Sequence, residues 1–190
     1  ETKVEAGTKQ WLKIPVDEEC SLKAAAFCGS RPGKRLIVTA GVHGCEYIGI
    51  LAVSRLIQEL DPRQMKGEVV FLPIANEGGF YKEIKQLVPE DGVNLNRAFP
   101  GTEMGSRSAK IAAAVETYLY PDADFLVDLH SGDIHEMVVP FAFFPVAAGE
   151  TVEKKAVAAA RALSLSWRVA STAKNGLYSW AAQKGIPALL

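Results

Sequence analysis

The sequence predicts an α/β fold with a mixed, largely parallel central sheet covered by helices on both faces. Three observations carry that expectation. The runs "RLIVTAG", "EVVFLPI" and "DFLVDLH" are almost continuously apolar, as strands covered on both sides are. Segments with helical spacing of apolar residues lie between them, and Gly and Pro punctuate the junctions. Strands alternating with helices in this way build a parallel sheet with crossover connections.

Taken in order, "WLKIPV" and "LKAAAFC" predict two N-terminal strands, and "GSRPGK" between Cys28 and Arg35 predicts a turn. "RLIVTAG" is the next strand. From Tyr47 the spacing predicts a helix, with Ile48, Leu51, Ala52, Leu56 and Leu60 on one stripe, interrupted by Arg55 and followed by Pro62. "EVVFLPI" predicts another buried strand. Residues 76–101 then show no clear period, and a glycine-bearing segment of that length is usually functional or disordered; it contains "EDGVNLNRAFPG". Helical spacing returns at Ile111, Val115, Tyr118 and Leu119, ahead of Pro121. "DFLVDLH" follows as a buried strand, and "MVVPFAFFP" predicts one interrupted by Pro140, at an edge or a bulge. Val152, Ala156, Ala159, Ala160 and Leu163 form a further helical stripe. A strand at "WRVAS", a helix at "LYSWAAQ" and a strand at "IPALL" close the chain, with no repeats or low-complexity tracts.

Bulk properties narrow the function classes. At 190 residues, 48% hydrophobic and 23% charged, the chain suits one domain over residues 1–190. A formal net charge of −1 and a pI near 6.4 give no reason to expect nucleic acid or an anionic membrane as partner. Cys20, Cys28 and Cys45 are odd in number and unpaired in spacing, which predicts reduced thiols and a cytoplasmic protein. No signal peptide or membrane-length apolar run is present in the sequence. The chain begins "ETKVEAG" and finishes "KGIPALL", a run suited to the middle of a buried strand, so a fragment cut within or just after a core strand is expected.

The chemistry-bearing residues fall at strand ends. His43 and Glu46 follow "RLIVTAG", Asn94, Asn96 and Arg97 lie beyond "EVVFLPI", and His130 caps "DFLVDLH". A parallel sheet brings such carboxyl ends to one rim. Two imidazoles and one carboxylate make a three-ligand zinc set with an open position, the catalytic rather than the structural pattern, holding one Zn²⁺ per chain. Iron or cobalt also suits that donor set. Strand alternation puts Leu126, Asp128 and His130 on one face, so Asp128 is placed to orient a ligand from behind. Asn96 and Arg97 offer an amide and a planar cation suited to a carboxylate. Taken singly, each residue has a plainer reading: a capping glutamate beside a loop histidine, a surface arginine, loop polar groups at His135 and Glu136, and a packing thiol at Cys45.

"GVHGCE", "DGVNLNRAFPG" and "DLHSGD", in this order, resemble the zinc carboxypeptidase superfamily, and specifically its succinylglutamate desuccinylase/aspartoacylase branch. The resemblance spans Arg35 to His135, and "KGIPALL" is similar to the lead-in to that family's last catalytic strand. It implies that His43, Glu46 and His130 bind zinc and that Asn96 and Arg97 hold a substrate carboxylate. It also places the general-base glutamate after Leu190, leaving the catalytic residue outside this sequence. Asn94 stands where classical carboxypeptidases carry an aspartate behind the ligands. The family's arginine in the loop before the Asn-Arg motif has no counterpart; the basic residues there are Lys82 and Lys85. The implied function is a zinc-dependent deacylase acting on an N-acyl amino acid or similar small amide, with homo-oligomer formation left open. A metallocarboxypeptidase trimming short peptides uses the same zinc and carboxylate clamp, and a non-catalytic metal- or ligand-binding module would lack the base.

Overall fold

The computed structural model describes residues 4–190. Strands β1 (Thr8–Pro15) and β2 (Ser21–Cys28) form an antiparallel hairpin that pairs Ile14 with Leu22. The turn that follows is shorter than "GSRPGK" suggests. Only Gly29 and Ser30 turn, and β3 (Arg31–Ala40) takes up Arg31 to Lys34, with a register shift between Arg31 and Arg35 absorbing the irregular residues. Next come α1 (Tyr47–Glu59), β4 (Lys66–Leu72), α2 (Glu77–Tyr81), β5 (Leu87–Val88) and β6 (Val93–Asn94). They are followed by α3 (Arg107–Tyr118), β7 (Phe125–Leu129), β8 (Phe141–Pro145) and α4 (Glu150–Ala162), then β9 (Trp167–Ser171), α5 (Leu177–Gln183) and β10 (Ala188–Leu189).

The main sheet has six strands in the order β1-β2-β4-β3-β7-β10. β4, β3, β7 and β10 run parallel, while β2 joins β4 antiparallel, so the sheet is mixed and mostly parallel. Pairing continues beyond the sixth strand: Phe143 and Leu190 exchange both backbone hydrogen bonds, at 2.7 and 3.1 Å, which seats β8 beside β10. β8 in turn pairs with β9 in parallel. Of "MVVPFAFFP" only Phe141–Pro145 is strand; Met137 to Pro140 are exposed and outside any element. Apolar composition extended that prediction, but Met137 to Pro140 have no strand partner.

Alternation along the strands sorts most of the core into two clusters, beside a small third one of Ala156, Ala160 and Leu189. Ala25, Phe27, Val38, Ala40 and Phe71 pack with Ile50, Val53 and Ile57 of α1. Ala24, Ala26, Ile37, Val70, Leu72 and Leu126 pack with Ile111 and Val115 of α3 and Leu177 of α5. Of the stripe predicted from Ile48, Leu51, Ala52, Leu56 and Leu60, the first four therefore face outward, with Ile48 and Leu51 68% and 65% exposed, and Leu60 alone packs against the core. Gly49 decides the orientation: a Cβ there would lie 2.9 Å from the Leu129 carbonyl oxygen, so the helix presses its glycine face onto β7. No helix among the described residues is long and apolar enough to cross a membrane.

Candidate metal centre

The parallel run of β4, β3 and β7 puts their carboxyl ends on one rim. His43 and Glu46 occupy the tight turn from β3 into α1, closed by Glu46 N–H donating to the His43 carbonyl at 3.2 Å. His130 follows β7 directly. Asn94 ends β6, and Asn96 and Arg97 lie in a 3-10 turn over Leu95–Arg97.

These elements bring two imidazoles onto one carboxylate. Nδ1 of His43 lies 2.7 Å from Glu46 Oε1, and Nδ1 of His130 lies 2.8 Å from Glu46 Oε2. One ligand atom from each of the three residues falls within 4.8 Å of the others. The rings meet edge to face, with centroids 5.0 Å apart. The Ser131 backbone N–H also donates to Glu46 Oε2 at 3.0 Å.

The groups behind the rings determine which nitrogen carries the proton. His43 Nε2 faces Asn94 Oδ1 at 3.1 Å, and the Asn96 backbone N–H donates to that same oxygen at 2.8 Å. The backbone donor fixes the amide orientation, so the atom facing His43 is an acceptor and Nε2 carries a hydrogen. His130 Nε2 faces Asp128 Oδ2 at 3.0 Å, again an acceptor, while Thr39 Oγ1 donates to Asp128 Oδ1 at 2.7 Å. A neutral ring in either place would therefore turn an Nδ1 lone pair toward the Glu46 carboxylate. Acceptors facing one another at such distances need positive charge between them.

At His130 a proton supplies that charge. Burial opposes a charged imidazole at His130, yet Asp128 and then Glu46 outweigh it and raise the pKa to about 10. Burial likewise opposes the Glu46 carboxylate, and hydrogen bonds from His130 and His43 bring it down to about 2. Two imidazole nitrogens, a carboxylate and oxygen acceptors behind both rings are the donor chemistry of a divalent metal site. His43, Glu46 and His130 form a group consistent with one.

The neighbouring polar residues divide into two sets. Asn96 is buried, and its Oδ1 accepts from the Leu177 backbone N–H at 3.0 Å. Among the described residues its Nδ2 has no hydrogen-bond partner, which leaves a donor for a ligand. Arg97 is exposed and rests Nη1 on the Asn96 carbonyl at 2.7 Å. In contrast, Lys85 pairs with Asp133 at 3.1 Å, Lys82 lies 3.8 Å from Glu90, and His135 and Glu136 are exposed. Three contributors escaped the sequence reading: Thr39, the Ser131 N–H and the Leu177 N–H. Only Thr39 carried a signal, as a hydroxyl inside the apolar run "LIVTA"; the other two act through the backbone.

Comparison with known proteins completes the picture. The family model of the succinylglutamate desuccinylase/aspartoacylase catalytic domain matches residues 32–188. An N-alpha-acetyl-L-2,4-diaminobutyric acid deacetylase of Halomonas elongata is 32% identical over 164 residues, covering 84% of this chain and 48% of the relative. The crystal structure of a succinylglutamate desuccinylase from Silicibacter sp. TM1040 superposes with a TM-score of 0.82 at 27% identity, over 96% of this chain and 57% of the other. The product-bound ectoine utilization protein EutE (DoeB) of Ruegeria pomeroyi gives 0.80 at 26% identity, over 96% and 58%. The chain thus spans about half the length of the curated relative it matches.

Proposed function

Since the chain belongs to the succinylglutamate desuccinylase/aspartoacylase family, within the zinc carboxypeptidase-like superfamily, we propose that it serves a zinc-dependent deacylase hydrolysing a small N-acyl amino acid. The observation that carries this reading is the convergence of both Nδ1 atoms on the Glu46 carboxylate, each ring held from behind by an acceptor. His43, Glu46 and His130 would hold the zinc. When bound, zinc supplies Lewis acidity for a scissile carbonyl and for an attacking water.

The remaining work falls to the chain's own groups. Arg97 and Asn96 Nδ2 seat the substrate carboxylate, a planar cation and an amide donor side by side. Asn94 and Asp128 keep both ligand rings in the Nε2–H tautomer. Proton transfer is assigned to the glutamate that the family resemblance places after Leu190, since Asp133 is tied to Lys85 and Glu136 is exposed. The Halomonas relative is a deacetylase, which supports an N-acyl amino acid over a peptide as substrate. The odd number and unpaired spacing of Cys20, Cys28 and Cys45 support a reducing compartment.

The test combines metal content by mass spectrometry with a hydrolysis screen of N-acetyl and N-succinyl amino acids against short peptides. One zinc per chain and release of acyl groups are expected, both lost in His43→Ala and His130→Ala, while Arg97→Ala mainly raises KM. Stoichiometric zinc at unchanged affinity in His43→Ala would refute the ligand set. Faster cleavage of peptides would replace the deacylase by a carboxypeptidase.

A further inference from the structure

We propose that Thr39 is a positioning residue for the His130 imidazole, acting through Asp128. The inference rests on the metal reading above and extends it to a residue on a different strand. Thr39 and Asp128 are direct partners in the parallel β3–β7 register, and neither is exposed to solvent. The Thr39 hydroxyl donates to Asp128 Oδ1 at 2.7 Å, and Asp128 Oδ2 faces His130 Nε2 at 3.0 Å. Each carboxylate oxygen thus has its own donor, and the plane of the carboxylate is fixed from both sides.

A β-branched side chain suits that task, because few χ1 rotamers are open to it in a strand. The strand ladder adds a second constraint, since β3 and β7 cannot slip without breaking the pairing of Thr39 with Asp128. Four residues after Thr39 the same strand delivers His43. β3 therefore reaches both imidazoles, one through the turn that follows it and one through Thr39 and Asp128. A purely structural role, in which Thr39 only satisfies a buried carboxylate, makes a different forecast. It predicts lower stability on loss of the hydroxyl and no change at His130.

The discriminating variants are Thr39→Val, which keeps shape and removes the donor, and Thr39→Ser, which restores the donor. Zinc affinity of the purified protein is measured by chelator competition, well below the unfolding temperature. Side-chain 15N NMR of the zinc-free protein reads the protonation pattern of His130. Thr39→Val should weaken zinc binding ~10-fold, the size typical of outer-sphere partners of a ligand, and change the His130 signals; Thr39→Ser should recover both. If Thr39→Val fails to fold, Thr39→Cys offers a weak donor of similar shape for the same comparison. Wild-type zinc affinity and an unchanged His130 spectrum in the Val variant would overturn the proposal while leaving the metal site standing. Absence of zinc binding by the wild-type protein, or wild-type affinity in His130→Ala, would overturn the metal reading and this inference with it.

Discussion

Replacing Gly44 by alanine should disable the metal group without touching any ligand. A Cβ at position 44 would sit 2.2 Å from the Phe80 amide nitrogen and 2.3 Å from the Gly79 carbonyl carbon, where ordinary contact begins at 3.4 Å. The two backbones must therefore separate by about 1 Å. The start of α2 is poorly placed to yield. Ala75 N–H and Asn76 N–H donate to the carbonyls of Ala40 and Gly41 at 3.0 and 2.8 Å, and Asn76 Oδ1 caps the Gly79 N–H at 2.9 Å. The turn bearing His43 and Glu46 is the part that gives way. Metal–ligand distances hold to within ~0.2 Å, so a shift several times larger breaks the set. Overpacking of this kind costs ~1–3 kcal/mol, and at ~2–4 °C per kcal/mol for a chain of this size the zinc-free protein should lose ~2–12 °C in Tm. Zinc affinity should fall at least ~10-fold, the loss seen on disturbing groups next to ligands. Calorimetry of the zinc-free protein and chelator competition read the two quantities. An unchanged Tm together with wild-type zinc affinity would show that the close approach of Gly44 to α2 does not constrain the ligands.

Two further outcomes are expected. Asn96→Asp keeps an oxygen for the Leu177 N–H but turns the unpaired Nδ2 donor into a carboxylate oxygen; on the proposed function, like charges brought together should raise KM ~10-fold or more. An unchanged KM would remove Asn96 from substrate binding. Asp17 is held by Arg107, with the Glu19 backbone and Lys110 assisting against burial, and its carboxyl falls to about 2 from an ordinary 3.8. A lowered folded-state pKa stabilises above the unfolded value and loses that contribution as pH drops through about 2. Asp17→Asn should therefore lower the urea midpoint at neutral pH and converge with wild type near pH 2; equal loss at both pH values would show that charge is not the source.

How much could be read from sequence depended on the length over which a pattern ran. The ligand candidates stood out because each ends a strand whose apolar run is unmistakable, and the parallel sheet then gathers them. Spacing alone misorients α1, because "YIGILAVSRLIQE" is apolar on most sides. Ile48 and Leu51 compete with Ile50 and Val53 for the core, and the approach of Gly49 to Leu129 settles it. Residues 76–101 gave no period because they fold as pieces shorter than any period: a five-residue helix, two-residue strands and a 3-10 turn. The hold of Leu177 on Asn96 is made by a backbone N–H, which no residue type announces.

The Asn94 side-chain oxygen Oδ1 serves two masters, the His43 ring and the backbone N–H of Asn96. It cannot follow one partner without loosening its grip on the other, so His43 and the turn that carries Asn96 and Arg97 are joined by a single atom. On the proposed function, binding of a metal at one and of a carboxylate at the other would be linked, and linkage is reciprocal. By whatever factor a loaded metal sharpens the capture of a carboxylate, a seated carboxylate tightens the hold on the metal. On that reading, a site wired in this way would be most exposed to chelation while no carboxylate is bound.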